Sequence, residues 1–191
     1  MSVSSNSATG LAAETTERPG LCVLVAEDDE ADAYLICGAL ARLPAVGKVV
    51  RVSDGLEALR LVEQGEIVPD LALIDLQMPR KGGLGLLVAL SERPEPGFPM
   101  VVLTSSSAPI DAMRSRLRGA VRVIKKPDTT EALDAELAAA IDAICSGRER
   151  PGQHLTGFRA AFQGVPSTPY LIALEEDVAE QGARPFAPPR I

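Results

Sequence analysis

The sequence predicts an α/β domain, a doubly wound parallel sheet of five strands covered on both faces by helices. Three observations carry that prediction. Short apolar runs alternate five times along the chain with segments of helical period. Runs such as Leu21 to Ala26 are apolar at consecutive positions, as strands buried on both faces require. Capping and breaking residues, among them Pro44, Asp54-Gly55 and Pro127, punctuate the segments.

The first strand is Leu21 to Ala26. Asp29 to Leu43 follows as a helix, with Leu35, Ala39, Leu40 and Leu43 on helical spacing and Pro44 as its stop. Lys48 to Val52 reads as the second strand, and Asp54-Gly55 turns into a helix with Leu56, Leu59 and Val62 on one face. Asp70 to Ile74 is the third strand and Gly83 opens the third helix, running to Leu90. Phe98 to Leu103 is the fourth strand, and Ile110 to Leu117 a weakly amphipathic, arginine-rich fourth helix. Val121 to Ile124 is the fifth strand. The last helix starts near Asp128, whose side chain can cap it with Glu131 three residues on, and it carries Leu133, Leu137, Ile141 and Ile144 on one stripe.

Right-handed crossovers leave few topologies for such a chain, and the flavodoxin-like order 2-1-3-4-5 is the common five-strand solution. In such sheets function gathers beyond the carboxyl ends of the strands. The place to look is therefore Ala26–Asp29, Asp75, Thr104 and Lys126.

Composition bounds the rest. The chain has 191 residues, 46% of them apolar and 24% charged, a globular profile. With no Trp and few aromatics, the core must be built from Leu, Val, Ile and Ala. A net charge of −7 argues against broad binding to nucleic acid. The apolar runs are too short or too polar for a membrane span, and residues 1–20 lack the pattern of a secretory signal, so a cytoplasmic protein is expected. Cys22, Cys37 and Cys145 are widely spaced and form no metal-binding pair. Residues 1–20 read as a flexible leader, 21–146 as the folded domain and 147–191 as an extension containing Pro and Gly.

The expected strand ends hold a particular set of groups. The first ends in Glu27-Asp28-Asp29, the third in Asp75, the fourth in Thr104-Ser105-Ser106, and the fifth is followed by Lys126-Pro127. Converging carboxylates repel unless a cation joins them, and Mg²⁺ suits oxygen ligands that it shares with water and phosphate. A carboxylate beside Mg²⁺ can attack a phosphoryl group, and a lysine and a hydroxyl can stabilise the charge that spreads over its oxygens. Taken singly, each residue has a plainer reading: an acidic helix start, a turn former, a strand-end hydroxyl, a surface charge. Their meeting on one sheet edge gives them meaning.

The segment Val25-Ala26-Glu27-Asp28-Asp29, the stretch Asp75-Leu-Gln-Met-Pro-Arg-Lys-Gly-Gly83, the strand end Leu103-Thr104-Ser105 and the pair Lys126-Pro127 resemble the response-regulator receiver (CheY-like) family over about Leu21 to Cys145. The resemblance implies that Asp75 is the phospho-acceptor. It implies that Asp28 binds Mg²⁺ directly, that Glu27 assists through water, and that the Gln77 backbone carbonyl is a further ligand beside Asp75. Thr104 and Lys126 would engage the phosphoryl group, while Gln77 and Ser106 sit where side chains tune dephosphorylation. Leu103 to Asp111 and Met78 to Gly83 also resemble single-domain regulators partnered with phytochrome-type histidine kinases. That resemblance implies a sensor histidine kinase as partner and a homodimer through the face of the fourth and fifth helices.

Two positions depart from the family pattern. Val123 stands where a Tyr or Phe usually rotates inward, so a ring movement is unavailable. Gly82 replaces a common Asp or Asn, which should loosen the loop after Pro79. Arg80-Lys81 read as solvated loop charges.

The extension has five basic and five acidic residues, unlike a nucleic-acid tail, and its apolar islands around Phe158–Phe162 and Tyr170–Leu174 suggest an arm that packs on the domain or on a partner copy. A protein-binding pseudo-receiver is the alternative reading. A transcription factor would need a second domain, and a hydrolase a nucleophile elbow or phosphate loop that the sequence lacks.

Overall fold

The computed structural model describes residues 20–93 and 97–149. The expected leader and nearly all of the extension, with its apolar islands and packing arm, lie outside the described residues. Within them the elements alternate strictly: β1 Leu21–Ala26, α1 Glu30–Ala41, β2 Val46–Val52, α2 Gly55–Glu63, β3 Leu71–Asp75, α3 Gly83–Ser91, β4 Met100–Thr104, α4 Pro109–Leu117, β5 Ala120–Lys125 and α5 Thr130–Cys145. The strands pair in parallel in the order β2-β1-β3-β4-β5, the expected topology.

The two-residue repeat of a strand explains why the inner runs are apolar throughout. Val23, Val25, Leu71, Leu73, Val101 and Leu103 point to one face and pack with Ile36 and Leu40 of α1 and Leu133, Leu137 and Ile141 of α5. Leu24, Ala26, Ala72, Ile74 and Val102 point to the other and pack with Ala58 and Val62 of α2 and Leu86, Leu87 and Leu90 of α3. Every residue of β3 and β4 is buried, whereas the edge strand β2 buries only Val52. Fully burying one such side chain stabilises the fold by roughly 1.5–3 kcal/mol, so two dense layers suffice without Trp.

The helix faces differ in detail from the sequence expectation. In α1 the buried positions are Ala33, Ile36, Ala39 and Leu40, and Leu35 is exposed. In α2 they are Gly55, Ala58 and Val62, with Leu56 turned outward. In both helices a small alanine, Ala33 or Ala58, faces the sheet and allows close approach, while a leucine two residues away, Leu35 or Leu56, rotates into solvent. The cap of α5 is Thr129 rather than Asp128, its side chain accepting from the Ala132 N–H at 3.3 Å. Strand boundaries also move: β2 begins at Val46 and β4 only at Met100, because pairing with β1 and β3 sets where each ladder starts.

Glycine appears where backbones meet. A Cβ on Gly83 would lie 2.1 Å from the Asp75 carbonyl oxygen, so only glycine lets α3 start against the end of β3.

Candidate functional site at the carboxyl edge of the sheet

All four strand-end groups named from sequence meet at one edge. Glu27 and Asp75 are buried at the ends of β1 and β3, and Thr104 is buried at the end of β4. Lys126 follows β5, held there by its backbone N–H donating to the Thr104 carbonyl at 2.8 Å. Parallel strands in register deliver these groups side by side, which no local spacing in the sequence could do.

The Lys126 ammonium is the hub. Its Nζ lies 2.8 Å from Glu27 Oε2, 3.4 Å from Asp75 Oδ1 and 2.7 Å from Asp32 Oδ2. Burial works against the charge on Lys126, but hydrogen bonds to Asp32 and Glu27 and the field of Asp75 outweigh it and hold the amine protonated beyond the ordinary lysine range. Burial dominates at Glu27, pushing its carboxyl above the usual glutamate value, with nearby Asp75 adding to the rise and Lys126 opposing it.

Beside the lysine, one carboxylate oxygen each from Glu27, Asp28 and Asp75 lies within 4.8 Å of the others. Direct ligands on a common Mg²⁺ at about 2.1 Å lie roughly 3–4 Å apart, so a set of this spacing is compatible with one ion held by some of these carboxylates directly and by another through water. Glu27 Oε2 is buried with the Lys126 ammonium at 2.8 Å as its close partner, and a carboxylate oxygen with one such partner still has lone-pair capacity for a cation. The donor set is all oxygen and anionic, which fits a hard divalent cation.

The loops around the site are tied down. Arg51 reaches the Glu27 and Asp28 carbonyls at 3.3 Å each. Asp29 does not face the acid cluster; it caps α1, accepting from the Ala31 and Asp32 N–H groups at 2.9 Å. Asp75 Oδ2 accepts from the Gln77 N–H at 2.8 Å, so the Gln77 backbone turns back against the site while its side chain is exposed. Thr104 Oγ1 accepts from the Ser106 N–H at 3.0 Å, and the Ser106 hydroxyl donates to Asp111 at 2.5 Å.

Three participants escaped the sequence reading. Asp32 lies in the first turn of α1 and looks like any solvated helix acid, yet it touches Lys126. Asp54 is buried, caps α2 through Oδ1 at 2.8 and 2.9 Å from the Leu56 and Glu57 N–H groups, and pairs through Oδ2 with Arg80. Arg80 is exposed, as expected of a loop charge, but it is tied to Asp54, and it is the only non-glycine residue at positive φ, 61°, among the described residues. The loop after Pro79, expected to be loosened by Gly82, is strapped to the start of α2 by this pair and by the Gly55 N–H donating to the Lys81 carbonyl at 3.2 Å. Val123 is half-buried and packs on the core layer formed with α2 and α3.

Comparison with known proteins agrees with this geometry. Residues 23–138 match the model of the response regulator receiver domain. The chain is 33% identical over 103 residues to response regulator Rcp1 of Synechocystis sp., covering 51% of this chain and 70% of Rcp1. It is 31% identical over 155 residues to a protein-glutamate methylesterase/protein-glutamine glutaminase of Myxococcus xanthus, covering 80% of this chain but only 44% of that protein's length. Among solved structures, the phosphorylated cyanobacterial phytochrome response regulator RcpA superposes with a TM-score of 0.63 at 28% identity, covering 70% of this chain and 99% of RcpA. The Mn²⁺-bound form of Rcp1 gives 0.58 at 27% identity, covering 64% and 92%. Fold, site geometry and family model together place the chain in the response regulator receiver domain family.

Proposed function

We propose that this chain is a phosphorylation-switched response regulator of a two-component system, with Asp75 as the phospho-acceptor. The observation that carries the reading is the meeting of Asp75, Lys126 and the Glu27–Asp28 pair at one buried sheet edge, with Thr104 beside them. Asp28, Asp75, the Gln77 carbonyl and, through water, Glu27 would hold Mg²⁺, which when bound neutralises charge between carboxylate and phosphoryl oxygens. An Asp75 carboxylate oxygen forms the new bond to phosphorus as the bond to the donor's leaving nitrogen or oxygen breaks. Lys126 stabilises the negative charge spreading over the transferring group, and Thr104 supplies a hydroxyl donor once it gives up its contact with the Ser106 loop.

The donor in this reading is the phospho-histidine of a sensor kinase. The similarity to Rcp1 and RcpA, and the stretches Met78–Gly83 and Leu103–Asp111, support a phytochrome-type kinase as partner. A homodimer through the α4–α5 face and a cytoplasmic location complete the proposal. No helix among the described residues is long and apolar enough to cross a membrane. With Val123 in place of a ring, the switch would act by backbone shifts of β5 and α4 that follow Thr104.

The test is intact-protein mass after incubation with acetyl phosphate and Mg²⁺. A single labile phosphoryl adduct is expected, absent without Mg²⁺ and absent in Asp75→Asn. No adduct in folded protein would favour a phosphorylation-independent binding module. Sedimentation before and after phosphorylation reads the dimer, and phosphotransfer from a phytochrome-type kinase reads the partner.

A further inference from the structure

Lys126 has more carboxylate around it than phosphotransfer demands. Two of its neighbours, Glu27 and Asp75, belong to the acid cluster at the strand ends. The third, Asp32, comes from α1, and its contact of 2.7 Å is the closest of the three. Asp75, the group whose phosphoryl Lys126 would serve, is the farthest at 3.4 Å. The ammonium therefore sits closer to Asp32 and Glu27 than to Asp75, while staying in ion-pair range of all three.

Asp32 is suited to that task. Its backbone is fixed in the first turn of α1 by the Asp29 cap. Its side chain is 39% exposed while that of Lys126 is only 14% exposed, so one partner of the pair stays solvated. An ion pair of this kind orients a side chain without trapping it, because water compensates the acid when the lysine leaves. With a divalent cation held by the acid cluster, Glu27 and Asp75 would be engaged in holding it, and Asp32 would be the carboxylate outside that cluster left to Lys126. The arriving phosphoryl group then competes with Asp32 alone.

Resting on the phospho-acceptor reading above, we infer that Asp32 is a positioning residue that parks Lys126 in the unphosphorylated protein and must release it for Lys126 to reach the phosphoryl group on Asp75. Removing it lowers the cost of that movement. Asp32→Asn should speed phosphorylation by acetyl phosphate at saturating Mg²⁺ and prolong the phospho-aspartate, each by roughly two- to fivefold, the range an exposed ion pair supports.

The test compares four full-length proteins: wild type, Asp32→Asn, Asp32→Glu and Glu30→Gln. Glu30 lies in the same first turn of α1, is 91% exposed and pairs only loosely with Arg51 at 3.9 Å, so its neutralisation removes the same charge without touching Lys126. Gain in Asp32→Asn, wild-type rates in Glu30→Gln and partial restoration in Asp32→Glu are expected. A second reading needs neither metal nor donor: the Lys126 ammonium proton–nitrogen correlation should shift and broaden in Asp32→Asn, and remain in Glu30→Gln. Unchanged or slower phosphorylation in Asp32→Asn overturns the inference, as does an equal gain in Glu30→Gln, which would mean long-range repulsion. Failure of wild type to form any adduct would instead sink the phospho-acceptor reading, and the ammonium spectrum would still report whether Asp32 holds Lys126.

Discussion

Asp54 and Asp75 lie at the same edge of the sheet, each just beyond or at the end of a strand and each nearly inaccessible, at 1% and 5% exposure. By burial they are twins. Their hydrogen bonds separate them. Asp54 uses one oxygen to cap α2 and the other to hold Arg80, so its charge is spent on structure. Asp75 has one oxygen on the Gln77 N–H, while the other meets Lys126 only at 3.4 Å and shares its surroundings with the acids Glu27 and Asp28. A buried carboxylate with satisfied partners is architecture. One with an underused oxygen among like charges is poised to take up a cation or an electrophile. The two are also coupled, since the Asp54–Arg80 pair straps down the loop that carries Gln77.

The comparison breaks most sharply on substitution. Asp75→Asn should abolish the phosphoryl adduct entirely, whereas Asp54→Asn, which keeps the cap, should retain it in the mass assay. Glu27→Gln should weaken Mn²⁺ binding at least about tenfold, read by the paramagnetic signal of free Mn²⁺, in line with the effect of removing groups that orient a metal's ligands. Asp54→Ala should cost about 1–2 kcal/mol in urea unfolding, since it uncaps α2 and frees Arg80. Asp75→Asn should do the reverse and raise metal-free stability by up to about 1 kcal/mol, because it removes a like charge from Glu27, and the gain should vanish in Mg²⁺. Equal destabilisation by both alanine and asparagine at Asp54 would shift the weight from the cap to the Arg80 pair.

The smallest effect concerns Asp29, the acid of the same run that serves as a cap. The Asp32 N–H holds its carboxyl below the usual aspartate value of 3.8, opposed by desolvation and helped by the Ala31 N–H. A depressed carboxyl stabilises the fold above its unfolded value and loses that contribution as pH falls below 3.8 through the folded value. The stability difference between wild type and Asp29→Asn should therefore shrink on acidification across that window, as followed by urea midpoints.

Much of this molecule is legible without coordinates. Continuous apolar runs at Leu21–Ala26 and Leu71–Ile74 read as inner parallel strands, and their ends put Glu27, Asp28 and Asp75 at one sheet edge, because right-handed crossovers leave one common order for five strands. The helix faces were less legible. Leu35 and Leu56 carry as strong an apolar signal as Ile36 and Val62, yet the close approach of Ala33 and Ala58 to the sheet turns them outward.

The sequence by itself determined the topology and the chemical identity of the site, since both follow from local apolar period and from which residues end the strands. Only the tertiary structure decided how each charge is spent. It assigned Asp29 to a helix cap, Asp54 to Arg80 across two loops, and Asp32 to Lys126 over a separation of 94 residues. The physical reason is that a carboxylate's role depends on the donors within about 3 Å of its oxygens. Those donors come from elements that the sheet brings together and that sequence spacing does not encode.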